Sequence, residues 1–95
     1  HEGVVFKSPA ARKLLPGSNG TVIGKTALRH YWSEGLRLIP NLHFELLGAY
    51  EGVDCLTVNF VNQDGRAANE VLIFEQDLIV QGFGTYLAPS VGQPI

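Results

Sequence analysis

Lys25 to Leu38, KTALRHYWSEGLRL, is the stretch with a sustained helical period, and the rest of the chain is arranged around it. At about 100° per residue, Leu28, Tyr31, Trp32, Gly35 and Ile39 share one arc, and Arg29, His30, Ser33, Glu34 and Arg37 fall on the other. This predicts one amphipathic helix, with Gly24 at its N-cap and Pro40 ending it, because proline cannot continue the helical hydrogen bonds. A helix with Tyr31 and Trp32 on one face needs a broad apolar surface to lie on. The strands that follow are the expected surface.

After Pro40 the pattern changes to a period of two. Leu42, Phe44 and Leu46 alternate with His43, Glu45 and Leu47 in Asn41 to Tyr50, before a turn at Glu51 and Gly52. From Val53 to Asn62, Leu56, Val58 and Phe60 alternate with Cys55, Thr57, Asn59 and Val61. Asn62 to Gly65 supplies a hairpin turn ending in Asp-Gly. Arg66 to Glu75 is the next strand, Gln76 and Asp77 turn the chain, and Leu78 to Leu87 is the last strand, ending before Pro89. Such short connections require antiparallel pairing. Gly48, Gly82 and Gly84 lie inside strands, where bulges or bends would let the sheet curl around the helix into a half-open cone. Its inner face should carry Leu42, Phe44, Leu46, Leu56, Val58, Phe60, Leu72 and Phe74.

Upstream of the helix, Gly3 to Lys7 reads as a short strand stopped by Ser8 and Pro9. Ala10 to Ile23 has no period and a cluster of turn residues at Pro16 to Gly20, which reads as a long loop. The 88–95 tail, APSVGQPI, is also aperiodic.

Composition bounds the function. Ninety-five residues, 45% hydrophobic and 17% charged, describe one domain over 1–95. A net charge of -2 gives no basic footprint, so nucleic acid and membrane are not expected partners. The single Cys55 cannot form an internal disulfide, which fits a reducing, cytoplasmic location. Gly20 to Thr26, GTVIGKT, is one residue short of the phosphate-cradling loop and follows a polar, proline-containing stretch, so it reads as helix capping. Gly82-Phe83-Gly84 lacks the third glycine and the helix of a dinucleotide fingerprint. The three histidines lack metal-ligand spacing, so no metal and no cofactor are expected.

Glu70 stands apart from the other polar residues. By strand parity it shares the apolar face with Ala68, Leu72 and Phe74. A carboxylate beside an apolar cavity loses hydration, which raises its pKa and makes it a candidate acid, base or hydrogen-bond donor. The alternative is an ordinary carboxylate paired with Arg29 or Arg66 or standing in water at the strand end.

Taken together, VVFKSP (4–9), GKTALRHYW (24–32), PNLHFEL (40–46), GRAANEVLIFEQD (65–77) and GTYLAP (84–89) resemble the SnoaL-like branch of the nuclear transport factor 2-like superfamily. The resemblance covers nearly the whole chain. It implies an α+β fold, a cone of strongly bent antiparallel sheet packed on a helix, the cystatin-like α+β barrel. It also implies a further helix upstream of VVFKSP. The chain opens at His1 and contains no Met, so His1 is not expected to be the native start.

Relatives in this superfamily include ketosteroid isomerases, polyketide cyclases and hydrolases as well as binding proteins, so the resemblance does not fix an activity. Where isomerases carry a proton-shuttling aspartate, this chain has Ser8, and their second, protonated acid falls close to Glu70. The expectation is a pocket for a small hydrophobic molecule, with Glu70 as the acid-base group of a cofactor-independent isomerase, cyclase or hydrolase. Ser8, Tyr31, Trp32, Phe44, Phe60, Leu72, Phe74 and Tyr86 are expected to line it. The alternative is a non-catalytic binding or dimerising module of the same fold. The opposite sheet face carries His43, Glu45, Leu47, Cys55, Thr57, Asn59, Val61, Val71 and Ile73. That mixture suits an interface and predicts a homodimer through the sheet.

Overall fold

A computed structural model describes residues 1–88. Its elements are β1 (Val5–Lys7), α1 (Pro9–Leu14), β2 (Thr21–Ile23), α2 (Lys25–Leu38), β3 (Phe44–Gly52), β4 (Cys55–Asn62), β5 (Ala67–Glu75) and β6 (Leu78–Tyr86). The fold is α+β, one curved six-stranded sheet in the order β2-β1-β6-β5-β4-β3 with two helices, not closed into a barrel. Of the aperiodic 88–95 tail, residues 89–95 lie outside the described residues.

The long helix forms where the sequence predicts it, beginning after Gly24 and ending at Ile39, whose N–H donates to the Gly35 carbonyl. The meander β3-β4-β5-β6 is antiparallel throughout. Its first turn sits two residues later than expected, at Val53 and Asp54, with Glu51 and Gly52 still in β3 and Leu42 ahead of it. Asp54 takes a positive φ of 53°, a conformation that Asp tolerates. Gln76 and Asp77 also have positive φ, at 51° and 64°, which suits a two-residue hairpin turn.

The segment from Ala10 to Ile23 is not a long loop. Ser8 caps α1, its hydroxyl oxygen accepting from the Ala10 N–H at 3.2 Å, and Pro9 occupies the first turn with its φ preset for helix. Six residues are too few to show a helical period, and three are too few to show alternation, so neither α1 nor β2 leaves a signal in sequence. β2 pairs antiparallel with β1, and β1 runs parallel to β6, with Phe6 opposite Gly82.

These short elements decide where the long helix lies. The buried core is Val4, Phe6, Ala11, Val22, Leu28 and Tyr31, with Leu14, Leu15 and Ile79 packed against it. Helix α2 therefore rests on α1, β1 and β2, and does not cover the meander as the sequence suggested. Burying Phe6, Leu28 and Tyr31 contributes about 1.5–3 kcal/mol each, and all three belong to this corner. The inner face of β3 is left facing open space: Phe44 is 57% and Leu46 66% exposed. A bulge between Leu46 and Gly48 bends β3, and a second irregularity near Ile73 and Phe74 bends the β5–β6 pair. No helix among the described residues is long and apolar enough to cross a membrane.

Candidate functional site

Between α1, α2 and the inner sheet face lies a cavity of about 700 Å³, within the usual range for a small-molecule site. Register puts Val58, Glu70 and Gly84 side by side on neighbouring strands, flanked by the row Leu56, Leu72 and Gly82 and the row Phe60, Ala68 and Tyr86. Of these, Val58, Phe60, Glu70, Gly84 and Tyr86 border the cavity and form its floor. Phe44 meets Phe60 edge to face at 5.2 Å between ring centroids and builds one wall. Tyr31 and Trp32 of α2 build the other.

Gly82 and Gly84 are regularly paired, not bulged; their role is close approach. A Cβ at residue 82 would lie 2.7 Å from Phe6 Cδ2, and one at residue 84 would lie 2.8 Å from Ser8 Oγ. The bare backbone of β6 thus lets β1 and the start of α1 sit on the sheet, bringing Ser8 next to Glu70's row.

Glu70 is half-buried, and no ion pair or hydrogen bond of its side chain is found among the described residues. Neither Arg29 nor Arg66 pairs with it, so the ordinary salt-bridge alternative does not hold. Loss of hydration alone raises its pKa. Tyr31 is buried, and its phenol pKa is raised chiefly by that burial. The nearby Ser8 hydroxyl acts in the opposite sense, while Tyr86 and Glu70 are near enough to oppose the phenolate charge. Ser8, Tyr31, Glu70 and Tyr86 therefore form one polar group in an otherwise apolar cavity.

Of the residues expected to line a pocket, Ser8, Tyr31, Trp32, Phe44, Phe60 and Tyr86 border this cavity with Glu70. Leu72 borders a smaller adjoining depression, about 250 Å³, which Trp32 and Glu70 share. Phe74 borders neither; it lies beyond Leu72, opposite Ile79 and past the bend in β6. Trp32 does not lie flat on the sheet: it is 52% exposed at the edge of both depressions. The sequence reading missed the polar rim of Lys13, Asn62, Gln63, Asp64 and Arg66. For Arg66 a signal existed, since parity puts it on the Ala68 and Glu70 face.

No protein-family model and no curated protein matches the chain. Among solved structures, it is similar to a SnoaL-like protein of unknown function from Burkholderia thailandensis, with 31% identity over 93% of this chain and 74% of that one, and a TM-score of 0.82. Two more distant structures share the fold. TerC, co-crystallised with polyporic acid, is 12% identical over 92% of this chain and 72% of its own, with a TM-score of 0.71. An NTF2-like protein of unknown function from Burkholderia pseudomallei is 15% identical over the same shares, with a TM-score of 0.69. The chain belongs to the SnoaL-like family.

Proposed function

We propose that the cavity binds a small hydrophobic molecule bearing an oxygen, and that Glu70 moves a proton on it without a cofactor, as in an isomerase, cyclase or hydrolase. The observation that carries this reading is an unpaired, half-buried carboxyl beside a buried phenol on the floor of an apolar cavity. In its ionised form Glu70 would take a proton from a carbon next to a carbonyl. The phenol of Tyr31, kept protonated by burial, would donate to the carbonyl oxygen on which charge develops. TerC, a fold relative, has been co-crystallised with polyporic acid.

The second reading is a non-catalytic pocket, favoured by a specific observation: among the described residues no histidine borders the larger cavity, and its one other carboxylate, Asp64, stands on the β4–β5 turn. Deuterium exchange into the carbon beside the carbonyl of 2-tetralone, followed by NMR, separates the two. Catalysis predicts accelerated exchange that falls by about 100-fold or more in Glu70→Gln. Binding seen as a change in Trp32 emission, with exchange no faster than buffer, would leave the non-catalytic reading standing.

We also propose that two copies pair through the outer sheet face. Val61, Val71, Ile73 and Phe83 stand on that face by register. Both helices belong to the other side, where Tyr31 meets Phe6 and Ser8 meets Gly84.

A further inference from the structure

We propose that the cavity selects an elongated ligand with a carboxylate at one end, and that Arg66, assisted by Lys13, holds that carboxylate at the rim. The inference rests on the cavity reading above and adds the chemical class of its occupant. Arg66 is fixed in place before any ligand arrives. Its guanidinium lies over the Tyr86 ring, 5.1 Å from the centroid, one of its terminal nitrogens donates to the Leu87 carbonyl at 3.2 Å, and its backbone N–H donates to Asn62 Oδ1 at 2.9 Å. A guanidinium has five N–H donors, and most of these are uncommitted.

The charges around the rim leave Arg66 free for an anion. Neither Arg66 nor Lys13 makes an ion pair among the described residues, where the pairs are Lys25 with Glu2 and Arg37 with Glu34. Asp64 is the other charged rim residue, and its Oδ2 accepts from Gln63 Nε2 at 3.3 Å. Two cations therefore face one rim carboxylate. A planar fork stacked on an aromatic ring is the arrangement that recognises a carboxylate through paired hydrogen bonds.

Spacing along the floor gives the ligand its length. The backbone positions of Arg66 and Glu70 are four residues apart along the β5 direction, a Cα span of about 13 Å at roughly 3.3 Å per residue. Between them Phe60, Val58 and Phe44 offer apolar walls. A flat, two-ring hydrophobic body, with its carboxylate at Arg66 and a hydroxyl or carbonyl directed at Glu70 and Tyr31, fits that span.

The test compares 6-hydroxy-2-naphthoic acid with its methyl ester by isothermal titration calorimetry on the intact chain. The acid is expected to bind about tenfold more tightly than the ester at low salt. Lys13→Gln combined with Arg66→Gln should erase that preference, with an unchanged circular dichroism spectrum showing that the variant is folded. Equal binding of acid and ester, or a preference that survives in the double variant, would overturn the role of Arg66 while leaving the cavity reading intact. Binding of neither compound would overturn the cavity reading itself, and this inference with it.

Discussion

Ser8 occupies the space that a side chain on Gly84 would fill, its Oγ lying 2.8 Å and its Cβ 3.1 Å from where a Cβ on residue 84 would stand. Two strands and a helix meet at this point. Gly84 is opposite Glu70 in the ladder, and Ser8 caps α1 and acts on the Tyr31 phenol. The site's polar group thus depends on a backbone without a side chain.

Gly84→Ala should accordingly push Ser8 and the start of α1 outward. Overpacking of this kind costs about 1–3 kcal/mol. Urea denaturation should show it as a lower midpoint with an unchanged slope, and stability equal to the parent chain would mean that Ser8 yields without cost.

Glu70 gives a pH dependence whose sign follows from its burial. Its folded-state pKa is raised, so between the unfolded and folded values the folded chain holds more protons than the unfolded one. This group's contribution is therefore fully present below the unfolded pKa and is lost as pH rises through the folded pKa. Glu70→Gln should remove that part of the slope in thermal melts across the acid-to-neutral range. A variant with the parent's pH profile would show that Glu70 titrates as a solvated carboxyl.

Asn62 organises the β4–β5 turn from which Arg66 projects. Its Oδ1 accepts from the Asp64 N–H at 3.0 Å and the Arg66 N–H at 2.9 Å, and Gly65 completes the turn at a φ of 74°. Asn62→Ala should cost about 0.5–1.5 kcal/mol and loosen Arg66 from Tyr86. NMR shifts of the Tyr86 ring would register the loss of the stacked cation, and unchanged shifts would show that the turn holds without Asn62.

Replacing Val71 and Ile73 together with Lys should convert a dimer into a soluble monomer. Both side chains are on the outer face by register, opposite Thr57 and Cys55. Like charges at the centre of a two-fold interface repel across the axis. Sedimentation decides the matter: a parent chain already monomeric at micromolar concentration removes the proposal.

Local chemistry alone determined the helix from Lys25 to Leu38, the Asn62–Gly65 and Gln76–Asp77 turns, and the face on which Glu70 stands, because helical period, turn preference and strand parity are properties of neighbouring residues. The same parity set Phe44 and Phe60 on the inner face. Three things were settled only by tertiary structure. α1 and β2 are too short to carry a period, yet they draw α2 to one side and leave the cavity open above β3 and β4. The approach of Ser8 to Gly84 follows from the parallel pairing of the first strand with the last, which no local signal encodes. The stack of Arg66 on Tyr86 depends on the β5–β6 register, in which Ala68 faces Tyr86. Contacts between segments far apart in sequence are fixed by packing of the whole sheet, and the polar end of the site is made of such contacts.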